Sequence, residues 1–186
     1  MARGYGGTVT GRLDGRRVVV LVAEGFEDLE FWVTVMRLRE EGAEVTIAGL
    51  TTRPVRGKNG LEAQADAELA TVSAESVDAV VVPGGWAPDK LRRSDAVKDL
   101  VRKAYDRGSV VGMICHAGLV GISAGIVAGR RATGSLGIKD DLVNAGATWV
   151  DEPAFRDGTL VWGRVVEDIP DFCRELVTAV ESLPRR

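Results

Sequence analysis

Histidine occurs once in this chain of 186 residues, cysteine twice, and aromatic residues make up only 5%. One imidazole and two distant thiols, Cys115 and Cys173, cannot supply the usual zinc ligands. Metal hydrolysis is therefore excluded short of an all-carboxylate site, and we expect no metal and no cofactor. Two cysteines in a chain of this size also make no secreted disulfide framework, which fits a reducing cytoplasm. The formal net charge of −3, with no basic stripe, argues against nucleic acid or an anionic membrane as partner. Residues 1–15 are rich in Gly and Thr and have no apolar core. They read as a flexible tail, neither a signal peptide nor an anchor. The remainder, residues 16–186, is long enough for one well-buried core and short for two, so a single domain is expected.

What is present alternates between two hydrophobic periods. Residues 18–23 form a continuous apolar run, and Leu29, Trp32, Val33 and Met36 follow at helical spacing. Residues 44–48 and 77–82 read as further strands, and Val97, Leu100, Val101 and Ala104 make a helical stripe. Asn59-Gly60 marks a small hairpin within residues 54–65, expected at the sheet edge. Later, residues 138–145 read as helical, while 148–150 and 159–162 flank an Asp157-Gly158 turn. Ile169, Phe172, Cys173, Leu176, Val177 and Val180 form the buried face of a last helix, which makes Cys173 a packing residue. Strands alternating with helices imply a doubly wound, three-layer α/β/α sandwich on a largely parallel sheet. Ligands then belong at the carboxyl ends of the strands, where residues 24–28, 83–89 and 115–116 fall together.

The third of these loops holds the only histidine. Val110-Val111-Gly112-Met113-Ile114 reads as a buried strand, Cys115-His116 follows at once, and the small residues after it suit a closely packed helix. Cys115 thus sits on a strand-to-helix turn, a nucleophile elbow that lifts its sulfur above the sheet near helix N–H groups. A buried structural Cys-His pair is the alternative. Adjacent residues on such a turn are expected to diverge, which leaves His116 poorly placed as an in-line base. Glu27 and Asp28 open the first helix. Asp28 and Glu30 are accounted for by capping and the helix dipole. If Glu27 reaches the sulfur, like-charge repulsion requires that the two share one proton. Pro83-Gly84-Gly85 lacks the lysine and spacing of a phosphate loop. Its N–H groups and that of His116 form either a two-donor oxyanion hole or an ordinary tight turn.

Four motifs in order carry a resemblance: Gly25-Phe26-Glu27-Asp28-Leu29-Glu30, Val82-Pro83-Gly84-Gly85-Trp86-Ala87-Pro88, Ile114-Cys115-His116, and the segment from Gly137-Ile138-Lys139 to Asn144-Ala145-Gly146. Together they resemble the ThiJ/PfpI superfamily, in its intracellular protease I branch, over nearly all of the chain from Arg17 onward. The resemblance implies a flavodoxin-like fold with Cys115 as nucleophile, Glu27 as its carboxyl partner, and Gly85 and His116 as main-chain oxyanion donors. It also implies a homo-oligomer in which an acid from the neighbouring subunit, here Asp89, orients His116. Departures are Asp89 where Glu is usual, Ala117-Gly118 in place of Gly-Pro, and Ser135 at a position often aromatic. Members are described as peptidases, deglycases and glyoxalases, all of which begin with a thiolate adding to a carbonyl. A small pocket and a proton-shuttling carboxyl favour small carbonyl compounds or glycated amino groups as substrates, with peptides as the alternative. A second alternative is a cysteine redox sensor. A glutamine amidotransferase is excluded, because no histidine follows His116.

Overall fold

A computed structural model describes residues 11–184. Its first strand, β1 (Arg17–Val22), is buried along almost its whole length. An unbroken branched run needs cover on both faces, and each such side chain removed from water is worth about 1.5–3 kcal/mol. Beside it lie β2 (Glu44–Gly49), β5 (Ala67–Glu68), β6 (Ala79–Val82), β7 (Val110–Ile114), β10 (Ala154–Asp157) and β11 (Leu160–Gly163), in the order β10-β11-β7-β6-β1-β2-β5. All pair in parallel except β10, which joins β11 antiparallel at one edge. The run β2-β1-β6-β7-β11 is the flavodoxin-like order. It places its switch point between β1 and β6, where connections leave in opposite directions and open a crevice.

Helices cover both faces. On one side α1 (Asp28–Glu40) packs beside α6 (Ile169–Glu181); on the other α2 (Ala87–Leu91), α3 (Asp95–Asp106), α4 (Gly118–Ser123) and α5 (Lys139–Asn144) lie together. Consecutive residues of β7 show the pleat. A Cβ at Gly112 would meet Leu176 and Phe172 of α6, whereas Met113 touches Gly121 of α4 on the opposite face. Cys173 is buried on α6, its sulfur 3.8 Å from the Thr34 hydroxyl. No helix among the described residues is long and apolar enough to cross a membrane.

Four details differ from the sequence reading. Residues 1–10 of the expected tail lie outside the described residues, but Leu13 is fully buried and Arg12 pairs with Glu181 on α6, so packed chain begins ahead of position 16. The Asn59-Gly60 hairpin, β3 (Val55–Arg56) with β4 (Glu62–Ala63), is a separate ribbon laid over the loop after β1, and β5 takes the sheet edge. Thr148–Trp149 (β9) pairs with Arg131–Ala132 (β8), while the partner across the Asp157-Gly158 turn is Ala154–Asp157. On α1 the stripe Leu29, Val33 and Met36 faces solvent, and Phe31, Thr34, Val35 and Leu38 are buried instead.

Candidate active site

Cys115 follows β7 directly and has φ of +60°, the left-handed region that no other non-glycine residue adopts among the described residues. Such a conformation costs about 1–3 kcal/mol and persists only where its surroundings hold it. Here the strand fixes one side and the turn Cys115–Ala117 the other, while the Cys115 carbonyl accepts the Ser135 N–H at 3.1 Å. The elbow bends the chain back enough to set His116 Nδ1 3.3 Å from the sulfur. The two side chains therefore converge instead of diverging.

The loops after β1 and β6 are stitched together beside this elbow. Trp86 N–H donates to the Gly25 carbonyl at 2.7 Å and Glu27 N–H to the Gly84 carbonyl at 3.1 Å. A side chain on Gly84 would lie 2.5 Å from Glu30 Oε2 and 2.7 Å from Cys115 Cβ, so only glycine lets carboxyl and thiol meet there. Gly85, at φ +75°, turns its N–H toward the sulfur together with that of His116. Two main-chain donors aimed at one point suit an oxygen that gains charge when sulfur adds to a carbonyl.

The carboxyl that reaches the thiol is Glu30, not Glu27. Glu27 is the N-cap of α1: its Oε2 accepts the Glu30 N–H at 2.8 Å and its Oε1 accepts Asn59 Nδ2 at 3.1 Å. A cap folds back on its own helix and cannot also point into the crevice. Glu30, three residues on, would ordinarily complete a capping box by returning to the Glu27 N–H. The Gly84 carbonyl occupies that N–H, and Glu30 Oε2 instead accepts the Gly84 N–H at 2.7 Å beside Cys115. Asp28 stands in the first turn of α1, as the helix dipole favours, and has a second task. Its carboxylate accepts the N–H groups of Asn59 at 2.9 Å and Leu61 at 2.7 Å, anchoring the hairpin.

Burial, reinforced by the charge of Glu27 and opposed by the Gly84 N–H, pushes the Glu30 carboxyl up to about 7. Burial first, then the charge of Glu30 and their hydrogen bond, push the Cys115 thiol up to about 12, against the pull of the His116 and Gly85 N–H groups. Glu30 raises the thiol, whereas the hydrogen bond from Cys115 works against the rise of the carboxyl, so the two groups titrate as a coupled pair. His116 is shifted below its ordinary value by burial and by Lys58, which leaves a neutral ring beside the sulfur. Asp89, in the first turn of α2, is more than half exposed and pairs with Arg93 of the same helix. Within one chain it is thus engaged away from His116.

A cysteine held in a left-handed elbow at the carboxyl end of a flavodoxin-like sheet, with a buried carboxyl against it and two amides facing it, has the parts that nucleophilic chemistry at a thiol requires. The chain belongs to the DJ-1/PfpI family, whose model matches residues 16–179. A deglycase of Pyrococcus abyssi is 40% identical over 161 residues, 87% of this chain and 97% of its own. The Bacillus subtilis protein YraA, whose name assigns it provisionally to the cysteine proteases, is 32% identical over 86% of this chain and 95% of its own. Among solved structures, Drosophila melanogaster DJ-1beta superposes with a TM-score of 0.85 at 29% identity, covering 90% of this chain and 91% of that one.

Proposed function

We propose that the protein is a cysteine-dependent hydrolase of the deglycase and glyoxalase type, acting on small carbonyl compounds or glyoxal adducts of amino groups. The observation that carries this reading is the buried Glu30 carboxyl lying against the Cys115 thiol with the Gly85 and His116 N–H groups facing the same sulfur. Cys115 transfers its proton to Glu30, and the thiolate adds to the carbonyl carbon. The C=O electron pair moves onto oxygen, where the two amides hold it. Glu30 then returns the proton to that oxygen, or to a departing amine, leaving a hemithioacetal. Its carbinol C–H proton moves to the neighbouring carbonyl carbon, the resulting α-hydroxy thioester is cleaved by water, and an α-hydroxy acid and the free thiol are released. Neutral His116, with Nδ1 at the sulfur, is placed to relay a proton to solvent. Trp86 and Leu136 lie exposed on the segments carrying Gly85 and Gly137 and offer a small apolar rim.

The name of the Pyrococcus relative supports this substrate class, and that of YraA supports peptide hydrolysis as the second reading. We further propose that the active form is a homo-oligomer in which Asp89 of one copy approaches His116 of another. The decisive experiment offers methylglyoxal, a glycated amino acid and a fluorogenic peptide to wild type, Cys115→Ser and Glu30→Gln. Consumption of the first two, abolished by Cys115→Ser and reduced at least about a hundredfold by Glu30→Gln, is expected from the loss of nucleophile and general acid. Turnover that survives Cys115→Ser would sink the proposal, and cleavage of the peptide alone would move it to the second reading.

A further inference from the structure

Glu27 does not meet the sulfur, yet only 2% of it is exposed, more burial than a capping carboxylate requires. Its surroundings are all donors: the Glu30 N–H on Oε2, and Asn59 Nδ2 with Lys58 Nζ, at 3.9 Å, on Oε1. The last two come from the tip of the β3–β4 hairpin, which is tied down by Asp28 and by Lys58 N–H donating to the Phe26 carbonyl at 2.9 Å. A negative charge is thus fixed one helical turn from the Glu30 carboxyl. That carboxyl has one oxygen on the Gly84 N–H and the other, Oε1, buried without a hydrogen-bond partner.

We propose that Glu27 is a positioning residue whose fixed charge, secured by Asn59 and Lys58, makes the Glu30 carboxyl a stronger acceptor for the Cys115 proton and so raises the fraction of sulfur present as thiolate. The balance is between Cys115–SH with Glu30–COO⁻ and Cys115–S⁻ with Glu30–COOH, with no proton gained or lost. The Glu27 carboxylate holds the Glu30 N–H and its charge acts on the Glu30 carboxyl, while the charge acting on the sulfur is that of Glu30, so Glu27 penalises the first arrangement more than the second. An orphaned buried oxygen also suits a neutral carboxyl better than an anion. The groups facing Glu30 are Glu27 from α1, Lys58 from the hairpin, the Gly84 N–H from the loop after β6, and Cys115 with neutral His116 from the elbow. Of these, Lys58 alone pulls toward ionised Glu30 by charge, and it also lowers His116. The hairpin therefore sets the thiolate population through two opposed charges.

This inference rests on the Cys115–Glu30 pair of the proposed function, and its test needs no substrate. The full chain is alkylated with iodoacetamide across a pH series and at about pH 8, where His116 is neutral. The label is located by mass spectrometry. Labelling confined to Cys115, with buried Cys173 untouched, certifies a folded protein. Glu27→Gln is expected to slow Cys115 alkylation by about tenfold, the population change of one pH-unit of proton affinity, and Lys58→Met to speed it. A merely structural role would move both variants the same way, and that result, or no change in Glu27→Gln, overturns the proposal. Glu30→Gln separates the two readings. It should collapse a two-step alkylation profile to one step; if it does not, the underlying pair fails, whereas a collapse alongside unaltered Glu27→Gln defeats this inference alone. Should Glu27→Gln expose Cys173, Lys58→Met decides, and a slowed rate there counts against the proposal.

Discussion

At Glu30 the carboxyl is raised to about 7 from an ordinary carboxylate value, chiefly by burial. The fold therefore favours the protonated form. Its contribution to stability is complete at acid pH, below the unfolded carboxyl's range, and is lost as the pH rises through about 7. The shift corresponds to about 3 kcal/mol. Gln is neutral at every pH and escapes this loss. The stability of wild type relative to Glu30→Gln should accordingly fall by about 3 kcal/mol between about pH 4 and pH 8, read from urea unfolding at a series of pH values. A difference that stays level would show that Glu30 titrates as an ordinary surface acid. The sequence places acids at 27, 28 and 30 but does not show which one leaves the helix. That depends on Gly84, more than fifty residues away, whose carbonyl takes the Glu27 N–H and whose own N–H takes the Glu30 carboxyl. One signal was within reach: Glu30 is in helical phase with Thr34 on the buried face of α1.

The same phase explains what was legible among the elements. Strands β1, β6 and β7 stand out as continuous branched runs, because a strand buried on both faces has little choice of composition. Helix α1 is harder, since apolar residues lie on both its faces and Leu29, Val33 and Met36 advertise a stripe that the fold leaves exposed. Turn chemistry located the β3–β4 hairpin but not its destination. That is decided by Asp28, whose two oxygens accept the N–H groups of Asn59 and Leu61. Asp28→Ala should strand both donors and cost about 2–4 kcal/mol, measured by denaturant unfolding, and should weaken the hold on Glu27. If the stability change is under about 0.5 kcal/mol, the hairpin is not anchored through this carboxylate.

For the molecule as a whole, the flavodoxin-like order follows from alternating strand and helix patterns together with the handedness of parallel crossovers. The loops at its carboxyl edge could be grouped before their contacts were known. The assembly is a separate matter. Among the described residues Asp89 pairs with Arg93 of its own helix, so its proposed part in orienting His116 needs a second copy. Sedimentation should show a species larger than the monomer at assay concentration, with Asp89→Asn lowering turnover while leaving urea unfolding unchanged. Full activity in a sedimenting monomer would remove Asp89 from the mechanism. The solitary imidazole has another consequence. Because no other histidine exists in the chain and this one touches the sulfur, its ring-carbon protons give one isolated pair of magnetic-resonance lines. Their midpoint should fall below 6.5, the ordinary imidazole value, and shift again when the thiol is capped, making the molecule its own indicator dye.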